Sequence, residues 1–446
     1  MGKQLYPVVP VPPAPSEPED PTFRTWTESV TEELNSLSQS AVDARDFGVS
    51  AANEDNANSL REAIAKGSEL TATVMLPTGQ LKFGSTLTID QRIRLQGVGP
   101  TRRWRFDNSG TELVATGNDI NAMVVNSDTA NDVLDGLEFK DFTLTTTSNV
   151  SNGLVLDAVT SNIDAIESCR LNNVHVSSFG SVGLQCKGTV FDLTCNHSSF
   201  VTNRHYGIHV DRTSAKQGNP SQFLLHDCFA EGTANVDSWG YLLDGNAMRM
   251  VGGTVVGRQN SSGVKFIDSG MMLGTNIEGV SGSSVGVRYR GNAGFQMVGG
   301  IVSGWSTGVE MGDPDLAAGS VDAWFVNGDI TSNTTSLHIV AGGTRIGCII
   351  QRGAASVFTY WDERADTDGV NNSWFIMSQD QSSFVTWPNG EYITSTSAGG
   401  VQFGGNLGFY SQAPIARPTV SGADTASVLT DLVSELSSLG LIVDGT

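Results

Sequence analysis

The sequence predicts an all-β chain built as a solenoid of short stacked strands. Three observations predict it: a turn-rich composition, a strand motif that returns at a near-constant interval, and no helical periodicity within the repeating stretch. Of 446 residues, 51 are glycine and only 16% are charged, with Ser, Thr, Asn and Val abundant. That mixture suits tight turns and pleated strands better than helices. The chain is long enough for several domains or for one elongated domain with a large core.

The repeat specifies the solenoid. With glycine placed at its head, the motif reads "GLVLD" at Gly153, "GLQCK" at Gly183, "GIHVD" at Gly207, "GYLLD" at Gly240, "GVKFI" at Gly263, "GVRYR" at Gly286 and "GVEMG" at Gly308. The successive intervals are 30, 24, 33, 23, 23 and 22 residues, and the longer early ones mark loops inserted between strands. A second run keeps the same beat, as "MRMVGGTVV", "MMLGTNIEG" and "FQMVGGIVS". Within "GVKF", Val264 and Phe266 share one face while Lys265 takes the other, as strand geometry requires. Leucine-rich repeats would need a Leu and Asn skeleton that is absent, and propeller blades run to about 40–50 residues. A right-handed parallel β-helix fits the period, and its coils are expected over residues 121–313.

The flanking segments differ in texture. Residues 1–44 open with a proline-rich run, "PVVPVPPAPSEPEDP", expected to be an extended spacer. Phe23, Trp26, Val30, Leu34, Leu37 and Ala41 then recur every three or four residues, which predicts an amphipathic helix that packs in a small bundle. Residues 45–120 hold "ARDFGV", a short helix in "NANSLREAIAKG", and the strands of "TVMLPTGQLKFGSTLTIDQRIRLQGVG". In residues 314–413 the beat fades into irregular strand-like runs, expected to be final coils plus a small β region. Residues 414–446 end in "TASVLTDLVSELSSLGLIVDGT", where Val428, Leu432, Leu436 and Leu439 form an apolar helical stripe suited to a partner surface.

In their order, "DFGV", "LREAIA", "VMLPTG", "LTI" and "IRLQGVG" resemble the opening of the pectate-lyase-like β-helix of phage tailspikes and tail fibres. The turn "SAANEDNANS" departs from that family's common glycine and aspartate pattern. The tail from "APIARPTVSG" onward is similar to a C-terminal segment of phage fibre and spike proteins that helps three chains associate. Together these stretches cover about a third of the 446 residues. The resemblance implies a capping helix, a homotrimer and a virion location after assembly in the host cytoplasm. It also implies docking through residues 1–44 to other virion proteins of tail, adaptor or capsid, and recognition of a bacterial surface polysaccharide. It carries over no catalytic residues. A polysaccharide depolymerase, hydrolase sooner than lyase, and a capsid-attached head fibre both stay open.

Composition narrows the partners. A formal charge of −21 argues against general nucleic-acid binding, which needs clustered Lys and Arg. The one basic knot is Arg102, Arg103, Trp104 and Arg105, either an acidic-sugar contact or a solvated edge. Cys169, Cys186, Cys195, Cys228 and Cys348 form no close pair, so they read as small core residues of a chain made in a reducing cytosol. No apolar run reaches the roughly 18 residues of a membrane span. The start "MGKQLYPVVP" lacks the order of a secretory signal. No phosphate loop, nucleophile elbow or metal-ligand spacing stands out, so no metal site and no cofactor are expected.

Site candidates come from the repeat. Four residues after the motif glycine stand Asp157, Lys187, Asp211, Asp244, Ile267 and Arg290, with Asp268 one place later. Coils stack about 4.8 Å apart, so Asp211 and Asp244 are expected to approach to about 5 Å, with Asp268 beyond them. Glycoside hydrolysis needs two carboxylates, about 5 Å apart to retain configuration or about 6.5–9.5 Å to invert it. Asp211, Asp244 and Asp268 are therefore the candidate catalytic row. Arg212, His209, Lys187 and Trp239 are the candidate substrate contacts. Asp227 and Glu231 in "HDCFAEG", within the longest coil, are secondary carboxylate candidates. The competing reading makes each aspartate a turn-capping residue that the solenoid reuses. The cluster of His175, His197, His205, His209 and His226 reads as polar ladder positions, and Trp324, Trp361, Trp374 and Trp387 as either a sugar surface or core and trimer contacts.

Overall fold

Short apolar-polar runs separated by turns lie parallel on the equivalent runs of the preceding coil, and the stack closes into a β-helix. The computed structural model describes residues 41–100, 110–126, 133–159, 165–212, 220–235, 238–290, 294–312 and 321–339, and beyond these only short strand and helix segments. Among the described residues, 29 strands join one sheet. Its pairings from Ala41–Asp43 on Thr73–Met75 through to the last coils are parallel. A right-handed winding follows from the general rule for parallel crossovers.

Each coil carries three strands. The first face stacks Asn152–Asp157, Val182–Lys187, Tyr206–Asp211, the heads of Trp239–Val251 and Ser262–Leu273, then Val285–Arg290, Thr307–Met311 and Thr335–Ile339. The second face includes Thr194–Asn196, Leu224–His226 and Phe295–Val298. The third includes Ser199–Val201, Phe229–Glu231, Thr254–Val256 and Ile301–Ser303.

Alternation along each strand builds the core. On the first face Leu154, Leu184, Ile208, Tyr241, Val264, Val287 and Val309 stand in one inward ladder, and Leu156, Cys186, Val210, Leu243, Phe266, Tyr289 and Met311 in the next. All are buried, and each large apolar member contributes about 1.5–3 kcal/mol relative to exposure. The same logic places the cysteines. Cys195 stands between Leu171 and Leu225 in a second-face ladder, and Cys169, Cys186, Cys195 and Cys228 are all free and buried.

The recurring glycine answers to a close approach between coils. A Cβ on Gly153 would stand 2.5 Å from the Gly183 carbonyl oxygen, one on Gly207 2.5 Å from that of Gly240, and one on Gly263 2.3 Å from that of Gly286. Backbone of one coil fills the space where the next would need a side chain, so the motif keeps glycine at that corner.

The expected capping helix is Ala57–Leu70. Asp55 accepts a 2.9 Å hydrogen bond from the Ala57 amide at its start, and Thr71 in left-handed conformation ends it. Leu60, Ala63, Ile64 and Gly67 face inward, and Gly67 lies so close to Val74 and Ile93 of the first coils that a Cβ there would meet both. Ala41 closes no helix: it opens the strand Ala41–Asp43 on Thr73–Met75. Parallel pairing continues past residue 313, through Val321–Thr331 and Thr344–Gln351 to Ile376–Ser378, and an antiparallel set of three strands follows over 384–404. The expected helix up to residue 40, the knot at 102–105, the side chains of the four later tryptophans and most of residues 414–446 lie outside the described residues.

Candidate functional site

Outward positions of the first face form two rows that share one surface. The row four residues after the glycine has the register expected of it: Asp157 opposite Lys187, Lys187 opposite Asp211, and Ile267 opposite both Asp244 and Arg290. Val210 pairs with Leu243, which brings Asp211 beside Asp244 at the strand ends. Asp268 pairs with Gly245, just before the register shifts between Gly245 and Met248.

Arg212 ties this end of the face together. Its Nε lies 2.9 Å from Asp244 Oδ1 and its terminal nitrogen donates to Asp268 Oδ2 at 3.3 Å. The shorter approach is an ion pair without hydrogen-bond alignment, so Asp244 Oδ1 is buried with no donor aimed at it. Asp244 is 13% and Asp268 16% exposed at the side chain, against 35% for Arg212. Asp268 takes φ 107, a conformation that non-glycine residues rarely adopt. The Tyr289 hydroxyl donates to its carbonyl at 2.8 Å and fixes the turn from within.

Burial is the largest influence on Asp244 and raises its pKa to about 6. Arg212 and Lys265 pull it down, while the Asp211 and Asp268 carboxylates push it up. Asp244 thus holds a proton at mildly acidic pH beside two other carboxylates, the asymmetry that separates a general acid from its partner in glycoside hydrolysis. Asp157, at the start of the row, behaves differently: its Oδ1 accepts from the Val159 amide at 3.0 Å and Lys187 Nζ lies 3.6 Å from its Oδ2. That is turn capping.

Two residues after the glycine runs a second outward row, Gln185, His209, Leu242, Lys265, Arg288 and Glu310, which His338 continues where Ser336 replaces the glycine. The His209 ring lies 4.7 Å from that of Tyr206. Burial lowers the His209 pKa, against the pull of Asp211 and with the help of Lys187 and Lys265. Trp239 is only 7% exposed, and the Arg288 guanidinium lies over its ring at 5.2 Å. Its indole face therefore meets Arg288 before it meets any ligand. Arg288 also pairs with Glu310 at 2.5 Å, and His338 Nδ1 lies 3.8 Å from the same carboxylate. Reading two residues past the motif glycines finds this row in the sequence from Gln185 to Glu310.

The structure does not bring Asp227 and Glu231 to this surface, nor to each other. Glu231 ends a third-face strand and pairs with Arg258. Asp227 sits at the turn after the second face, 3.9 Å from His197 Nδ1 and 3.6 Å from His226 Nε2. His175 pairs with Ser199 on the third face, and His205 lies beside Tyr206.

Comparison with known structures finds chains to which this one is similar. The chain is similar to the Acinetobacter phage vb_AbaP_AS12 gp42 tailspike, at 11% identity and TM-score 0.46, covering 85% of this chain and 67% of that one. It is similar to ORF18 of Geobacillus virus E2, at 13% identity and TM-score 0.44, over 90% of this chain and 83% of that one. Pectate lyase Pel9A matches at 12% identity and TM-score 0.33, over 66% of this chain and 73% of that one. No protein-family model and no curated protein matches the chain. Among the described residues, no helix is long and apolar enough to cross a membrane.

Proposed function

We propose that the chain is a homotrimeric virion spike or fibre protein that docks through its N-terminal segment and recognises a bacterial surface glycan with the first face of its β-helix. The observation that carries the reading is one outward strip over consecutive coils. It combines Tyr206 against His209, the Arg288 guanidinium that covers Trp239, and the Arg212–Asp244–Asp268 group. The Tyr206 ring suits the apolar face of a sugar, and fixed charged groups suit its hydroxyl and acidic substituents. The resemblance of residues 45–120 and 414–446 to phage spike and fibre sequences supports the virion setting.

A second reading, cleavage of that glycan, is favoured by one observation: the pKa of Asp244, raised to about 6 between two carboxylates. Protonated Asp244 would donate to the glycosidic oxygen, and Asp211 or Asp268 would act as base or nucleophile. Incubating the full chain with surface polysaccharide from candidate hosts tests both. Binding without new reducing ends supports the adhesin. Reducing ends without unsaturated-uronate absorbance support the hydrolase, whereas reducing ends with that absorbance mean a lyase and remove Asp244 from the acid role. Absence of both binding and cleavage across the hosts that the virus infects refutes the proposal.

A further inference from the structure

We infer that His197, His226 and Asp227 form a binding site for a first-row divalent transition-metal ion, of the zinc type, which clips two consecutive coils together. Among the described residues these three form a group whose ligand atoms all lie within 4.8 Å of one another. His226 and Asp227 come from one coil and His197 from the coil before, joined where the His197 amide donates to the His226 carbonyl at 2.9 Å. His197 and His226 are 29 residues apart in the chain, so no local spacing announces the group.

The donor set selects the ion. Two imidazoles and one carboxylate suit zinc, nickel or copper, whereas calcium and magnesium require oxygen ligands throughout. Ligands about 2.0–2.2 Å from a tetrahedral metal stand about 3.3 Å apart. The Asp227 oxygen lies 3.6 Å from His226 Nε2 and 3.9 Å from His197 Nδ1, and no pair of ligand atoms is more than 4.8 Å apart, so side-chain rotations that bring the ligands up to about 1.5 Å closer complete the site. The exposed edge leaves the remaining coordination position to water.

The stack makes room for the group. His197, Asp227, Gly252, Gly274 and Gly299 occupy the same turn in successive coils, all with positive φ, from 48 to 64. Later coils use glycine there, while these two hold liganding side chains despite the backbone conformation. Gly252 completes the cradle, since a Cβ on it would stand 2.1 Å from Asp227 Oδ1. The site lies at the turn beyond the second face, separate from the Asp244 surface.

The test is titration of the full chain, stripped with chelator, with Zn²⁺ by calorimetry and with Co²⁺ by visible absorption. The expected result is one ion per chain, d–d bands of a nitrogen-and-oxygen site, and a rise in Tm on adding Zn²⁺. Asp227→Asn and His197→Asn keep residue types that tolerate the left-handed turn, so both should fold with the wild-type circular dichroism spectrum. Each should weaken binding by at least the roughly 10–100-fold seen when a metal site loses supporting contacts, and should abolish the rise in Tm. Wild-type protein without stoichiometric binding overturns the inference. So does binding that both variants retain at wild-type affinity, which would place the ion elsewhere.

Discussion

Arg212 and Asp244 come from successive coils and meet at 2.9 Å, and the same guanidinium reaches Asp268 at 3.3 Å on the coil beyond. One cation thus spans three coils and holds two carboxylates that are otherwise in mutual repulsion. Removing it by Arg212→Gln should push the pKa of Asp244 higher still, because Arg212 is the strongest influence pulling it down. Loss of the pair should cost about 1–3 kcal/mol at neutral pH. Urea denaturation of the variant measures the cost, and carboxyl NMR titration measures the shift.

Asp244 itself should make stability depend on pH. Its carboxyl goes from 3.8 to about 6 on folding, so the folded state keeps a proton that the unfolded state has already lost. Folded protein then binds more protons between those values, and stability falls as pH rises through that window before levelling above it. The contribution is on the order of 1–3 kcal/mol. Asp244→Asn should flatten this slope between about pH 4 and pH 6, which paired denaturation curves at the two ends of the window would reveal.

The glycine corner should reject even one methyl group. With the Gly286 carbonyl 2.3 Å from a Cβ on Gly263, Gly263→Ala forces two coils apart and should cost about 1–3 kcal/mol, as overpacking of a tight core does. A lowered Tm with an unchanged far-ultraviolet spectrum is the expected observation. Alanine at the neighbouring half-buried, outward-facing Lys265 should cost less.

The buried thiols should be inert in the native state. Burial raises the Cys169, Cys186 and Cys195 thiols well above their ordinary range and Cys228 to about 12. A thiol reagent at neutral pH should therefore leave these four unmodified until denaturant is added. Prompt reaction of any of them, located by peptide mapping, would contradict the placement of their ladders.

Much of this was legible in the sequence, for a physical reason. A solenoid repeats its register, so residues at one offset from a glycine become neighbours across coils. That is why Lys187 could be placed against Asp211, and Asp268 one step beyond Asp244. The same offset did not reveal that the Trp239 ring is covered, because Arg288 reaches it from two coils away. Asp227 and Glu231 stand four residues apart in the sequence, yet the turn between two faces parts them, Asp227 beside His226 and Glu231 against Arg258. His197 and His226 meet because the second-face strands pair Asn196 with His226, a register that no local spacing in the sequence marks.

The most direct test of the glycan-recognition account is calorimetric titration of host surface polysaccharide into the wild-type chain and into a Tyr206→Ala, Arg288→Ala double variant. The expected result is saturable binding by the wild type and loss of most of it in a variant that remains folded. Equal affinity in both proteins would contradict the assignment of the first face, and no binding by the wild type to glycans of a susceptible host would contradict glycan recognition itself.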